Sequence, residues 1–106
     1  MAILQLKRGD TLDLACVVQT CDGQPVDIGG WQIICGLRDA LGGWGVQIDA
    51  TITDAAAGRY SLQATPVETA TWPVGGLSAD IRYTTASGHV MHTRTLPVRV
   101  LEPITP

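Results

Sequence analysis

The side chains best suited to proton transfer, metal binding or nucleophilic attack are His89, His92, Cys16, Cys21, Cys35, Ser61, Ser78 and Ser87. Their spacing argues against each chemistry in turn. His89 and His92 are three apart, and on a strand residues at that spacing face opposite sides, so the two rings diverge. No Cys-x-x-Cys or His-x-His pair is present to complete a tetrahedral metal site. No serine sits in a nucleophile-elbow motif, and no histidine is placed by pattern to activate one. Asp49, Asp54, Glu68 and Asp80 form no recognisable catalytic pair. The expectation is a chain that is not an enzyme, with no catalytic residue, no metal site and no cofactor.

The cysteines read as structural. Cys16 and Cys35 fall on inward faces of neighbouring strands and read as small buried hydrophobes. Cys21, beside Asp22 and Gly23, reads as exposed and as the thiol most open to oxidation. Three cysteines cannot all pair within one chain. The N-terminus turns charged after six residues and lacks a signal peptide's layout. Reduced thiols and a cytosolic site of synthesis are therefore expected.

The tryptophans offer a different chemistry, stacking on a sugar or anchoring in a protein pocket. Trp31 begins an inward-facing pattern and reads as core. Trp44 and Trp72 lie in loops, where an amphipathic indole either plugs the end of a sandwich or contacts a partner. Both readings stay open. Trp44 and Trp72, with Arg38 and Leu41, are the candidate partner-contact residues.

Composition narrows the partner. The chain has 106 residues, is 45% apolar and only 16% charged, and carries a net charge of −3. Its size allows one core, expected to span residues 1–101 with a tail at 102–106. The low charge suggests a surface that meets a partner. Seven scattered Lys and Arg residues disfavour binding to nucleic acid. No apolar run approaches the roughly 20 residues needed to span a bilayer, so no membrane association is expected.

The elements that must position these residues follow from period-2 alternation. Residues 2–7 read as a short edge strand, and Arg8-Gly9-Asp10 as a turn. That turn also spells an integrin-binding tripeptide, but turn formation needs Gly and Asp in any case. In residues 11–20, Leu12, Leu14, Cys16 and Val18 share one face. Asp22-Gly23 turns the chain, and Val26, Asp27 and Ile28 lead into the next strand. In residues 31–38, Trp31, Ile33, Cys35 and Leu37 point inward. A glycine-rich loop with Trp44 at its tip precedes residues 46–53, read as one strand with Val46, Ile48, Ala50 and Ile52 inward. Residues 59–65 place Tyr60, Leu62 and Ala64 inward.

Thr65-Pro66-Val67-Glu68 is a helix start, with Thr as N-cap, Pro at the first position and Glu in the first turn. Trp72-Pro73 stops it after about one turn. Leu77, Ala79, Ile81 and Tyr83 line the inner face of the next strand, and Ser87-Gly88 makes a hairpin. Residues 89–100 read as the last strand, with a bulge or edge position at Pro97. These signals predict an all-β, antiparallel, immunoglobulin-like β-sandwich of six or seven strands, with one short helical turn near residues 66–71. The immunoglobulin disulfide is absent, because residues 77–84 contain no cysteine.

Three stretches carry a family resemblance: Leu6-Lys7-Arg8-Gly9-Asp10-Thr11, Asp22-Gly23-Gln24-Pro25-Val26-Asp27-Ile28 and Asp80-Ile81-Arg82-Tyr83. In them the chain resembles the small β-sandwich modules of tailed-phage virions, of the type found as N-terminal domains of upper-baseplate and tail-fibre-associated proteins. The resemblance implies a non-enzymatic structural or assembly protein of a phage or prophage. It would contact other virion proteins or itself as a homo-oligomer, and would be made in the host cytoplasm before joining the virion. The alternative is a small carbohydrate- or ligand-binding sandwich using its loop tryptophans.

Overall fold

A computed structural model describes residues 4–105. Nine strands and one helical turn follow in order: β1 (Leu4–Lys7), β2 (Leu12–Val17), β3 (Gln32–Asp39), β4 (Gly45–Asp49), β5 (Thr51–Asp54), β6 (Arg59–Ala64), α1 (Pro66–Thr69), β7 (Gly75–Thr84), β8 (Val90–His92) and β9 (Leu96–Leu101). The large sheet runs β1-β9-β7-β3-β4, with β8 also on β7; the small sheet runs β2-β6-β5. Taking β2 as the second strand of an immunoglobulin domain, β2-β6-β5 reproduces its B-E-D sheet. The order β9-β7-β3-β4 reproduces the G-F-C sheet with the added C′ strand of variable-type domains. The immunoglobulin-like sandwich is therefore the observed architecture.

The alternation explains the core. Ile33 and Leu37 on β3, Leu77 on β7, and Val98 and Val100 on β9 face Leu12 on β2 and Tyr60 and Leu62 on β6. All are at most 8% exposed. Each large aliphatic side chain so buried contributes about 1.5–3 kcal/mol. Ile28, fully buried, comes from an irregular stretch; its N–H donates to the Ala55 carbonyl at 2.9 Å.

Four expectations need correction. There are nine strands among the described residues, not six or seven. The expected strand at 46–53 is two strands, broken at Ala50, because the chain leaves the large sheet after Asp49 and joins the small one at Thr51. Both sheets face one core, so the alternation continues unbroken across the change of sheet. The expected strand at 89–100 is also two. Between them the Thr93 hydroxyl accepts the Ile81 N–H at 3.0 Å, while the Thr93 N–H donates to the Ile81 carbonyl at 2.9 Å. A side chain thus replaces one rung of the ladder and shifts the strand. Finally, β1 pairs with β9 in parallel, so the sandwich is not wholly antiparallel.

The edge strand expected at 2–7 is present from Leu4; residues 2 and 3 lie outside the described residues. Pro97 pairs with Ser78 at the start of β9, beyond the described register of β1, which begins at Val98. Among the glycines, the one that ends the turn at Gly58 has the tightest surroundings. Gly58 has φ +73°, and a Cβ there would lie 2.5 Å from the Val18 carbonyl oxygen and 2.7 Å from that of Val26.

Candidate functional site

Two loops meet at one end of the sandwich, the β3–β4 hairpin and the β6–β7 crossover. Register places them side by side, since Asp39 at the end of β3 pairs with Leu77 near the start of β7. The hairpin is closed by Asp39. Its N–H donates to the Trp44 carbonyl at 3.2 Å, and its carboxylate accepts the Trp44 N–H at 3.2 Å. Between these contacts Leu41 projects with 95% of its surface exposed.

The crossover is built from its cap inward. Thr65 accepts the Glu68 N–H on its hydroxyl at 3.2 Å, and Glu68 accepts the Thr65 N–H at 3.0 Å. This reciprocal capping box satisfies two donors that a helix start leaves open. The hydrogen bonds from the Thr65 backbone and side chain hold the Glu68 carboxyl below its ordinary value. The helix then delivers Thr69 and Trp72 to the interior, at 0% and 2% exposure. The Thr69 hydroxyl is fully engaged: it donates to the Asp10 carbonyl at 2.7 Å and accepts the Gly9 N–H at 3.1 Å. Arg8 donates to the Ala70 carbonyl at 2.6 Å and pairs with Glu102 at 2.7 Å. The Arg8-Gly9-Asp10 turn therefore clamps the crossover.

This geometry sorts the four candidate contact residues. Leu41 and Arg38 are exposed, and Trp44 is half-buried. Trp72 is inside the core and packs edge-to-face against Trp44. It caps the sandwich and presents no face to a partner, so it leaves the contact set. Trp72 does lie in a loop, but a crossover that closes a sandwich end has an inner side, and its largest apolar group occupies it.

The other singled-out residues are dispersed. Cys16 and Cys35 are free thiols on opposite sheets, facing the core from β2 and β3; Cys21 is free and exposed. Burial pushes the Cys35 thiol up to about 11, with the Asp80 and Cys16 charges adding to it. Burial also raises Cys16, partly offset by a hydrogen bond with Tyr60. Burial, followed by its hydrogen bond with Tyr83 (2.8 Å between the hydroxyls), raises the Tyr60 phenol far above its ordinary value. His89 and His92 are exposed on the β7–β8 hairpin. Among the described residues no three His, Cys, Asp or Glu side chains gather to hold a metal ion. No described helix is long and apolar enough to cross a membrane.

A concavity of about 800 Å³ lies on the outer face of the large sheet, over Gly36 and Ser78 and bounded by Arg38, Gln47, Arg82 and His92. Strand periodicity places these residues outward but carries no sign that they enclose a hollow. The only available signal was Gly36, a residue without a side chain in the middle of a central strand.

No family model and no curated protein matches the sequence. Among solved structures, the chain is similar to the N-terminal domain of phage TP901-1 ORF48. Identity is 24%, the match covers 95% of this chain and 86% of that one, and the TM-score is 0.62. It also matches murine CRIg at 14% identity, over 94% of this chain and 92% of that one, with a TM-score of 0.43. The phage domain and this chain share the β-sandwich fold.

Proposed function

We propose that this chain is a non-enzymatic structural or assembly module of a phage or prophage, acting through protein–protein contacts at the tail or baseplate. The observation that carries the reading is the fold shared with a phage domain over 95% of the chain. The sequence resemblance to virion sandwich modules points the same way. The contact surface in this reading is the sandwich end carrying Leu41, Trp44 and Arg38. An exposed leucine beside a half-buried indole on a clamped base is a pre-organised anchor, which lowers the ordering cost of docking. The partners are other virion proteins or further copies of the chain, with assembly in the host cytoplasm before incorporation.

The sugar-binding alternative is the weaker reading because Trp72 is buried, leaving a single half-exposed indole instead of a two-ring platform. Mass spectrometry of particles and assembly intermediates from the phage or lysogen encoding the chain tests the proposal. Recovery in a fixed ratio to other structural proteins is the expected result. Absence from both particles and intermediates would overturn it.

A further inference from the structure

The charges of this chain are sorted by surface. On the outer face of the large sheet stand Lys7 on β1, Arg99 on β9, Asp80 and Arg82 on β7, Arg38 on β3 and Asp49 on β4. Their strand neighbours Leu6, Val98, Val100, Ala79, Leu37 and Ile48 are buried, which fixes this set as outward. The face thus holds four of the seven Lys and Arg residues but only two of the ten Asp and Glu. It is net positive by two, while the rest of the molecule, with three basic residues against eight acidic, is net negative by five. No ion pair forms among these six side chains; the ion pair among the described residues is Arg8 with Glu102.

The same face holds the concavity over Gly36, which Arg38 and Arg82 line together with Asp80, whose carboxylate stands beside Gly36 and leaves the lining net positive by one. In the β3–β7 register Arg38 lies opposite Ser78, Gly36 opposite Asp80, and Ile34 opposite Arg82. The two arginines therefore stand on either side of the hollow, in rows about 13 Å apart at ~3.3 Å of rise per residue. That width accepts a polypeptide segment between two guanidinium groups, each able to clamp a carboxylate through two parallel hydrogen bonds.

We propose that the outer face of the large sheet is a second docking surface, and that it takes an acidic segment of a partner polypeptide laid across Gly36 between Arg38 and Arg82. The inference stands on charge placement and shape and not on the assembly reading above, although Arg38 belongs to both surfaces. Charge complementarity selects the occupant. The acidic remainder of the molecule repels an acidic partner from every other side, and the basic face attracts it, so an acidic segment is steered here.

Fluorescence anisotropy tests it with the intact chain and a labelled peptide of alternating Glu and Ser, roughly twelve residues long to cross the sheet. The expected result is saturable binding at about 20 mM salt that weakens about tenfold by about 200 mM, as screened charges require. R38E/R82E should reduce binding at least tenfold, D80N should tighten it, and R59E on the opposite sheet should leave it within twofold. Thermal melts of each variant report folding, and R38Q/R82Q replaces the charge reversal if that variant does not fold. Absence of saturable binding overturns the proposal. So does an equal loss from R59E, tighter binding of a single-stranded DNA oligonucleotide, or light scattering showing that the same arginines instead hold two copies of the chain together.

Discussion

The Trp44 indole meets the Trp72 indole edge to face, with ring centroids 6.3 Å apart and planes inclined at 61°. Trp72 belongs to the crossover between the two sheets and is 2% exposed; Trp44 closes the β3–β4 hairpin and remains half-buried. One ring therefore fills the end of the core and the other rests on it from outside. The pair links the stability of the fold to the position of the exposed Leu41, three residues before Trp44.

Trp72→Ala is expected to destabilise the protein by about 3–5 kcal/mol, as for other buried aromatic truncations. Trp44→Ala should cost less, because part of its ring already faces water. A double-mutant cycle in urea should show a coupling of about 0.5–1.5 kcal/mol between the two rings. Strict additivity would mean that the edge-to-face contact adds nothing beyond burial.

Leu41→Asp separates contact from stability. The side chain is almost wholly exposed, so the substitution should change unfolding free energy by less than about 0.5 kcal/mol. Incorporation into particles should nevertheless fall sharply, since a charge replaces the apolar anchor. Normal incorporation of L41D would remove this end of the sandwich from the assembly contact.

The capping box predicts an acid-sensitive crossover. Hydrogen bonds from Thr65 lower the Glu68 carboxyl. A depressed acid stabilises the folded state above its unfolded value near 4.5, and that contribution is lost as pH falls through the lower folded value. Thr65→Ala should cost about 1 kcal/mol at neutral pH. Glu68→Gln should flatten the decline of melting temperature below pH 4.5. An unchanged acid limb in E68Q would assign the decline to other carboxylates.

What could be read from the sequence depended on whether a residue sat in a regular element. Tyr60, Leu62 and Ala64 were assignable to the core because alternation marks a strand with one wet face. The Thr65–Glu68 cap was legible because capping is local chemistry. The break at Ala50 was not, since both sheets turn their apolar faces to the same interior. Ile28 and Trp72 escaped because irregular segments have no period to betray an inward side chain. The charge sorting needed the sheet order, which puts Lys7 and Arg99 on the same face as Arg38 and Arg82 from distant parts of the chain.

Thiol reactivity should divide the cysteines. Ellman's reagent at pH 8 should label Cys21 rapidly in the native protein and reach Cys16 and Cys35 only on unfolding, because burial keeps both as neutral thiols. Cys21→Ser should abolish the fast phase. Rapid labelling of a second thiol in C21S would show that the core opens near β2 or β3 under native conditions.

The same buried groups set an alkaline limit. Cys35 is held up to about 11 against an ordinary 9.0, and Tyr60 is raised well above 10.0. An acid whose folded pKa is raised stays protonated in the fold after the unfolded chain has released its proton. Rising pH therefore favours unfolding, from about pH 9 for the thiol and about pH 10 for the phenol, and the thiol's contribution levels off near 11. Melting temperature should fall steadily across pH 9–11. Cys35→Ala should flatten the lower part of that fall and Tyr60→Phe the upper part, although each also loses packing or a hydrogen bond and starts from a lower value at pH 7. The slope against pH, not the starting value, decides the matter. Parallel curves for wild type and both variants would show that neither buried acid governs the alkaline transition.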